Sequence, residues 1–185
     1  QEEELVQFLG SVNLRRLIPK ADPVAATILL RKADELYAAM EEYPERVTLL
    51  NYLEDITGEN SLDSIKKETL LSSALNYFLM ENYDESFKKA LAAEDLFSPE
   101  DKNYADLQLL RMDLYIRNGK YKEAGTKGIL LGKIKNLSPD RKYMLNLQLS
   151  LLELNRLKSL KKASTADAAE FEKLFSSALS LVKHD

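Results

Sequence analysis

The sequence contains no cysteine, no tryptophan and one histidine, His184, with only six glycines and five prolines among 185 residues. Without cysteine there is no disulfide framework, no thiolate metal site and no thiol nucleophile. With His184 as its one histidine, the chain lacks the residues for an interior catalytic triad or a pair of imidazole ligands. So few glycines and prolines fit poorly with a many-turned β-sandwich. Uninterrupted apolar runs stay short, as in Ile28-Leu29-Leu30, far below the roughly 20 residues that span a bilayer, so no transmembrane segment is expected. Gly125, Gly128 and Gly132 lack the spacing and the Lys-Ser/Thr ending of a phosphate-cradling loop. Carboxylates are abundant, but neighbours such as Asp34-Glu35 and Glu94-Asp95 are what charged helix faces supply, and nothing selects one pair for acid–base work. The expectation is a protein that is not an enzyme and needs no cofactor or metal.

Hydrophobic residues at 45% and charged residues at 30% describe a chain that folds around a core rather than a disordered one. Net charge is −4, but it is unevenly spread. Residues 1–110 hold 22 acidic and 11 basic side chains, residues 111–162 hold 4 and 13, and residues 163–185 hold 4 and 2. An acidic front and a basic back can attract each other between copies, or steer a charged partner. The candidate partner-binding patch is Arg111, Arg117, Lys120, Lys122, Lys127, Lys133, Lys135, Arg141 and Lys142. Tyr115, Tyr121 and Tyr143 are interleaved with it, as in some nucleic-acid surfaces, but the acidic front half and a pI near 5.3 would repel a polyanion. The opening Gln1-Glu2-Glu3-Glu4, with no initiating Met, favours an exported protein after signal-peptide removal over a cytoplasmic one.

Internal similarity is the strongest signal. Tyrosines stand six apart three times, at Tyr37 and Tyr43, Tyr77 and Tyr83, and Tyr115 and Tyr121, so the frame returns after 40 and then 38 residues. Glu45, Glu85 and Glu123 each follow a second tyrosine by two positions. Ser98-Pro99-Glu100-Asp101 returns as Ser138-Pro139-Asp140-Arg141, and Leu107-Gln108-Leu109 as Leu147-Gln148-Leu149. A fixed period of this size marks a repeat array.

Each unit reads as a pair of helices. Asp22, Ser98 and Ser138 precede prolines as N-caps, and Ser98 with Asp101 approximates a capping box. Leu71, Ala74, Leu75, Phe78 and Leu79 form a helical stripe. The turns within pairs are expected just before each second tyrosine, with Gly119 in the left-handed position that ends a helix. Expected helices are 2–17, 23–41, 44–57, 62–80, 84–97, 100–117, 121–136, 140–160 and 165–183. Leu145, Leu147, Leu149 and Leu151 alternate like a strand, but their company of Leu, Gln, Glu and Asn and the repeat frame make that stretch helical. The glycine stripe of 121–136 is expected to let a neighbouring helix approach closely.

A tyrosine late in one helix, a second opening the next, then an acidic and a small residue, as in Tyr115 through Ala124 and Tyr77 through Ser86, resembles the tetratricopeptide repeat. Ala74, Ala90 and Ala93 also match its small positions, while Ser73, Arg111 and Met112 depart from it. The resemblance covers about residues 23–137. It implies an all-α, right-handed α-solenoid of antiparallel hairpins with a period of 38–40 and about 8–9 helices. Its expected parts are an N-terminal helix in 1–20, hairpin repeats in 21–160 and a capping helix in 161–185. The family's carboxylate clamp is absent, since Leu71, Leu75, Leu109 and Asp113 occupy the relevant positions. The tyrosine pairs are expected to be packing residues. A single hairpin cannot bury its apolar face and stacked neighbours can, leaving an extended surface. The expected function is a non-enzymatic scaffold that binds a partner protein. The alternative is a structural subunit of an envelope complex or filament sheath, self-associating through its acidic and basic halves.

Overall fold

The structure is a computed structural model, and it describes residues 22–159 and 164–182. The helix expected over 2–17, the segment 161–163 and His184 lie outside the described residues. Among those described there are eight α-helices and no strand, and consecutive helices within each unit pack on one another as an all-α stack of hairpins requires. The chain divides into two compact units, Gln1–Phe97 and Ser98–Asp185.

The first unit contains α1 (Pro23–Ala39), α2 (Tyr43–Glu59), α3 (Asp63–Leu79) and α4 (Tyr83–Glu94). Asp22 caps α1 as expected, its carboxylate accepting the Ala25 N–H at 3.0 Å with Pro23 in the first helical position. Every link in this unit is the same three-residue turn. Its middle residue is left-handed, at Glu41 (φ 60°), Ser61 (φ 55°) and Glu81 (φ 60°). The residue after it donates back to the carbonyl of Tyr37, Thr57 or Tyr77 at 2.9, 3.0 and 2.9 Å. This is the Schellman closure, which satisfies carbonyls that a helix end would otherwise strand. The tyrosine frame is therefore a turn frame: the first tyrosine supplies the accepting carbonyl and the second opens the next helix. The Asn60-Ser61-Leu62 turn, with no tyrosines, repeats the geometry halfway between, so the true step is 20 residues per helix.

Ala26, Leu30, Ala33, Tyr37, Leu49, Leu50, Leu53 and Ile56 form the core between α1 and α2. Ala74 on α3 and Ala90 and Ala93 on α4 are all fully buried, and the Ser86 hydroxyl on α4 donates to the Ala74 carbonyl on α3 at 2.7 Å. Polar ties hold the register. Arg46 makes two bonds to Asp34, at 2.8 and 3.2 Å. Glu54 on α2 accepts from Ser73 on α3 at 2.6 Å and from Lys89 on α4 at 2.5 Å.

The second unit contains α5 (Tyr104–Arg117), α6 (Tyr121–Gly132), α7 (Pro139–Ser159) and α8 (Thr165–Val182). Gly119 (φ 68°) ends α5, and the Lys120 N–H returns to the Tyr115 carbonyl at 2.8 Å. Ser138 caps α7, accepting the Arg141 N–H at 3.4 Å. The alternating leucines at 145–151 lie within α7. Ala105, Leu109, Met112, Ala124, Leu131, Leu137 and Leu145 make the core. Gln148 on α7 donates to the Leu109 carbonyl on α5 at 3.1 Å.

Three expectations need correction. Residues 100–103 are not helical: the Asp101 N–H bonds the Ser98 carbonyl and the Tyr104 N–H bonds the Asp101 carbonyl, both at 3.0 Å, giving successive turns before α5 begins at Tyr104. The Asp101 carboxylate still accepts from the Ser98 N–H at 2.8 Å, but it caps a turn. Helices α4 and α6 stop at Glu94 and Gly132 rather than at 97 and 136. Beyond them the bonds tighten to three-residue spacing, as Phe97 to Glu94 and Ile134 to Leu131. The glycine stripe splits: a Cβ at Gly128 would lie 2.9 Å from Leu149 Cδ2 and 3.3 Å from Met112 Cε, whereas at Gly125 and Gly132 it would meet nothing within 4 Å.

Candidate interaction surface

All nine residues of the basic set lie in the second unit, but burial and pairing divide them. Arg111 is 3% exposed and donates to the Tyr115 hydroxyl at 2.7 Å. Arg141 is held by two bonds to Asp106, at 2.7 and 2.6 Å, and these push its pKa up. Arg117 pairs along its own helix with Asp113 at 3.3 Å. Burial raises the Asp113 carboxyl above its usual value, with the Arg117 charge working the other way. Lys127 is half-buried. Desolvation pulls its ammonium below the usual lysine range, and the nearby Arg111 charge adds to the effect.

Lys120, Lys122, Lys133, Lys135 and Lys142 remain exposed. They do not gather at one point. Lys120 and Lys122 stand at the start of α6, and Lys133 and Lys135 just past its end, about 18 Å along the axis by helix rise. Between them α6 exposes Tyr121 and Ile129, at 45% and 67%, and the open Gly125 and Gly132 leave the backbone beside Ile129 bare. An apolar centre with a charged rim on a rigid element is how protein-binding surfaces are built.

The repeat frame relates the charges of α6 to those of α4. Helices α4 and α6 are repeat equivalents at the 38-residue offset of their opening tyrosines, Tyr83 and Tyr121. At matched positions α4 exposes Asp84, Leu91 and Asp95 where α6 exposes Lys122, Ile129 and Lys133. Residues 81–95 carry a net −3 and residues 119–133 a net +3. Aligning the two repeats column by column, rather than summing charge by region, would have exposed it.

Among the described residues no helix is long and apolar enough to cross a membrane, and no group of three or more His, Cys, Asp or Glu could hold a metal ion. No family model, curated protein or solved structure matches this chain.

Proposed function

We propose that this protein is a non-enzymatic interaction scaffold of tetratricopeptide-like hairpins that binds a partner protein along α6. The observation that carries this reading is the exposed Ile129 and Tyr121, framed by Lys122 and Lys133 on one helix. Exposed aliphatic surface on a stacked hairpin costs solubility unless something covers it, and lysines at both ends favour a partner with acidic edges.

A second reading, a structural subunit that self-associates, draws on the charge difference between the compact units. Residues 1–97 carry a net −9 and residues 98–185 a net +5. The test is affinity capture at low salt with the native chain and with Ile129→Asp/Lys122→Glu. Binding species held by the native chain and released by the variant support α6 as the binding face. Equal retention by both would overturn it.

A further inference from the structure

We infer that the partner of the α6 face is the α4 face of a second copy of this chain. The inference rests on the reading of α6 as a protein-binding surface and names what binds there.

Three features of the two helices point the same way. The first is complementarity in register. With α6 of one copy parallel to α4 of another, Lys122 faces Asp84, Ile129 faces Leu91 and Lys133 faces Asp95, because the same 38-residue offset relates all three pairs. All six side chains are exposed in the folded chain, with Leu91 40% and Ile129 67% open to solvent. An aliphatic contact flanked on both sides by opposite charges fixes register more than it adds affinity.

The second is that two of the four charges oppose their own helices. Lys122 sits in the first turn of α6 and Asp95 is the C-cap of α4. A cation at a helix N-terminus and an anion at a C-terminus both oppose the backbone dipole. Local helix stability therefore does not account for them. A facing helix of opposite pattern does, since Lys122 would meet Asp84 at the N-terminus of α4, and Asp95 would meet Lys133 at the C-terminus of α6.

The third is that the intervening groups do not break the match. Lys88 on the α4 face is already bound to Glu85 on its own helix at 2.5 Å, which holds its charge within α4. Its counterpart on α6 is Thr126, whose hydroxyl donates to the Lys122 carbonyl at 3.1 Å. Opposite Lys88, α6 thus presents a small neutral residue rather than a second cation.

The contact is small and held largely by exposed pairs, so it belongs to the weak, salt-sensitive class. Charges screened within about 10 Å at 0.1 M salt reach about 30 Å at 0.01 M.

The experiment is sedimentation equilibrium of the full chain over a range of concentrations, at low and at high salt. Two charge-reversed variants follow, Lys122→Glu/Lys133→Glu and Asp84→Lys/Asp95→Lys. The native chain is expected to gain mass with concentration at low salt and to lose that gain at high salt. Each variant alone is expected to associate about tenfold more weakly, because reversal sets like charges face to face. An equimolar mixture of the two variants restores opposite faces and is expected to recover association. All four positions are exposed, and thermal melting by circular dichroism confirms that the variants remain folded. A native chain that stays monomeric at low salt overturns the inference. So does association that both variants retain, or a mixture that does not recover it. If the native chain is monomeric while Ile129→Asp/Lys122→Glu still loses a captured protein, this inference fails and the binding face stands.

Discussion

Three substitutions in α6 separate close packing from open surface. Gly125→Ala and Gly128→Ala make the same chemical change three residues apart, and each gains about 1 kcal/mol of helix propensity from alanine. At Gly125 the new methyl meets nothing within 4 Å, so the whole gain is expected as stability. At Gly128 it would lie 2.9 Å from Leu149 Cδ2 and 3.3 Å from Met112 Cε, and those side chains must shift. That displacement offsets the gain, leaving Gly128→Ala near neutral. Gly128→Leu adds three more carbons where α5, α6 and α7 meet. Overpacking of this kind costs about 1–3 kcal/mol, against a propensity gain of about 1 kcal/mol, and leaves a net loss of up to about 2 kcal/mol. A change of 1 kcal/mol moves the midpoint by about 2–8 °C, the larger shift applying if the second unit melts by itself.

The assay is thermal and urea unfolding followed by circular dichroism at 222 nm, which reads helix directly. The expected order of stability is Gly125→Ala above native, Gly128→Ala close to native and Gly128→Leu below it. If Gly128→Leu melts with or above the native chain, the close contact among Gly128, Leu149 and Met112 is refuted. Loss of stability in Gly125→Ala would show that its open face is covered.

Other consequences can be checked in the same way. Glu81 holds φ 60°, a conformation that costs an L-residue about 1 kcal/mol, so Glu81→Gly is expected to raise the midpoint, while Gly119→Ala, at φ 68°, is expected to lower it by a similar amount. Arg46→Ala would leave Asp34, 14% exposed in its side chain, without its cation, and should destabilise the first unit by about 3 kcal/mol in urea unfolding; no loss would mean the pair is dispensable. The Arg156 guanidinium and, less strongly, Ser164 hold the Asp167 carboxyl well below the usual carboxylate range. Its stabilising effect is therefore present above the unfolded value near about pH 4 and is lost as pH falls through the lower folded value. Acidification should fray the start of α8, and Asp167→Asn should remove that pH dependence, followed by amide exchange at residues 165–170.

The tyrosine frame was legible in the sequence because it is built from local chemistry. A Schellman turn needs one left-handed residue and a fixed number of steps, and it closes the links at 40–42, 60–62, 80–82 and 118–120, with tyrosines marking both ends of three of the four. The same physics explains what the sequence concealed. At Ser61, Glu41 and Glu81 the left-handed position is held without glycine, so no composition signal announces it, and the 20-residue step stayed hidden behind the 40-residue one. The boundary near 98 misled for a related reason. Ser98-Pro99-Glu100-Asp101 has the letters of a helix start, and its hydrogen bonds form, but they close a turn. Whether a cap is followed by a helix depends on whether the next residues find a face to bury. Here the first fully buried side chain after the cap is Leu107, and α5 begins only at Tyr104. The candidate interaction surface was legible least of all, because summing basic residues over 111–142 mixes Arg111 in the interior and Arg141 in an ion pair with the exposed Lys122 and Lys133. Charge becomes informative only when read at structurally equivalent positions. In that register Asp84 answers Lys122, Asp95 answers Lys133, and the two aliphatic residues between them coincide.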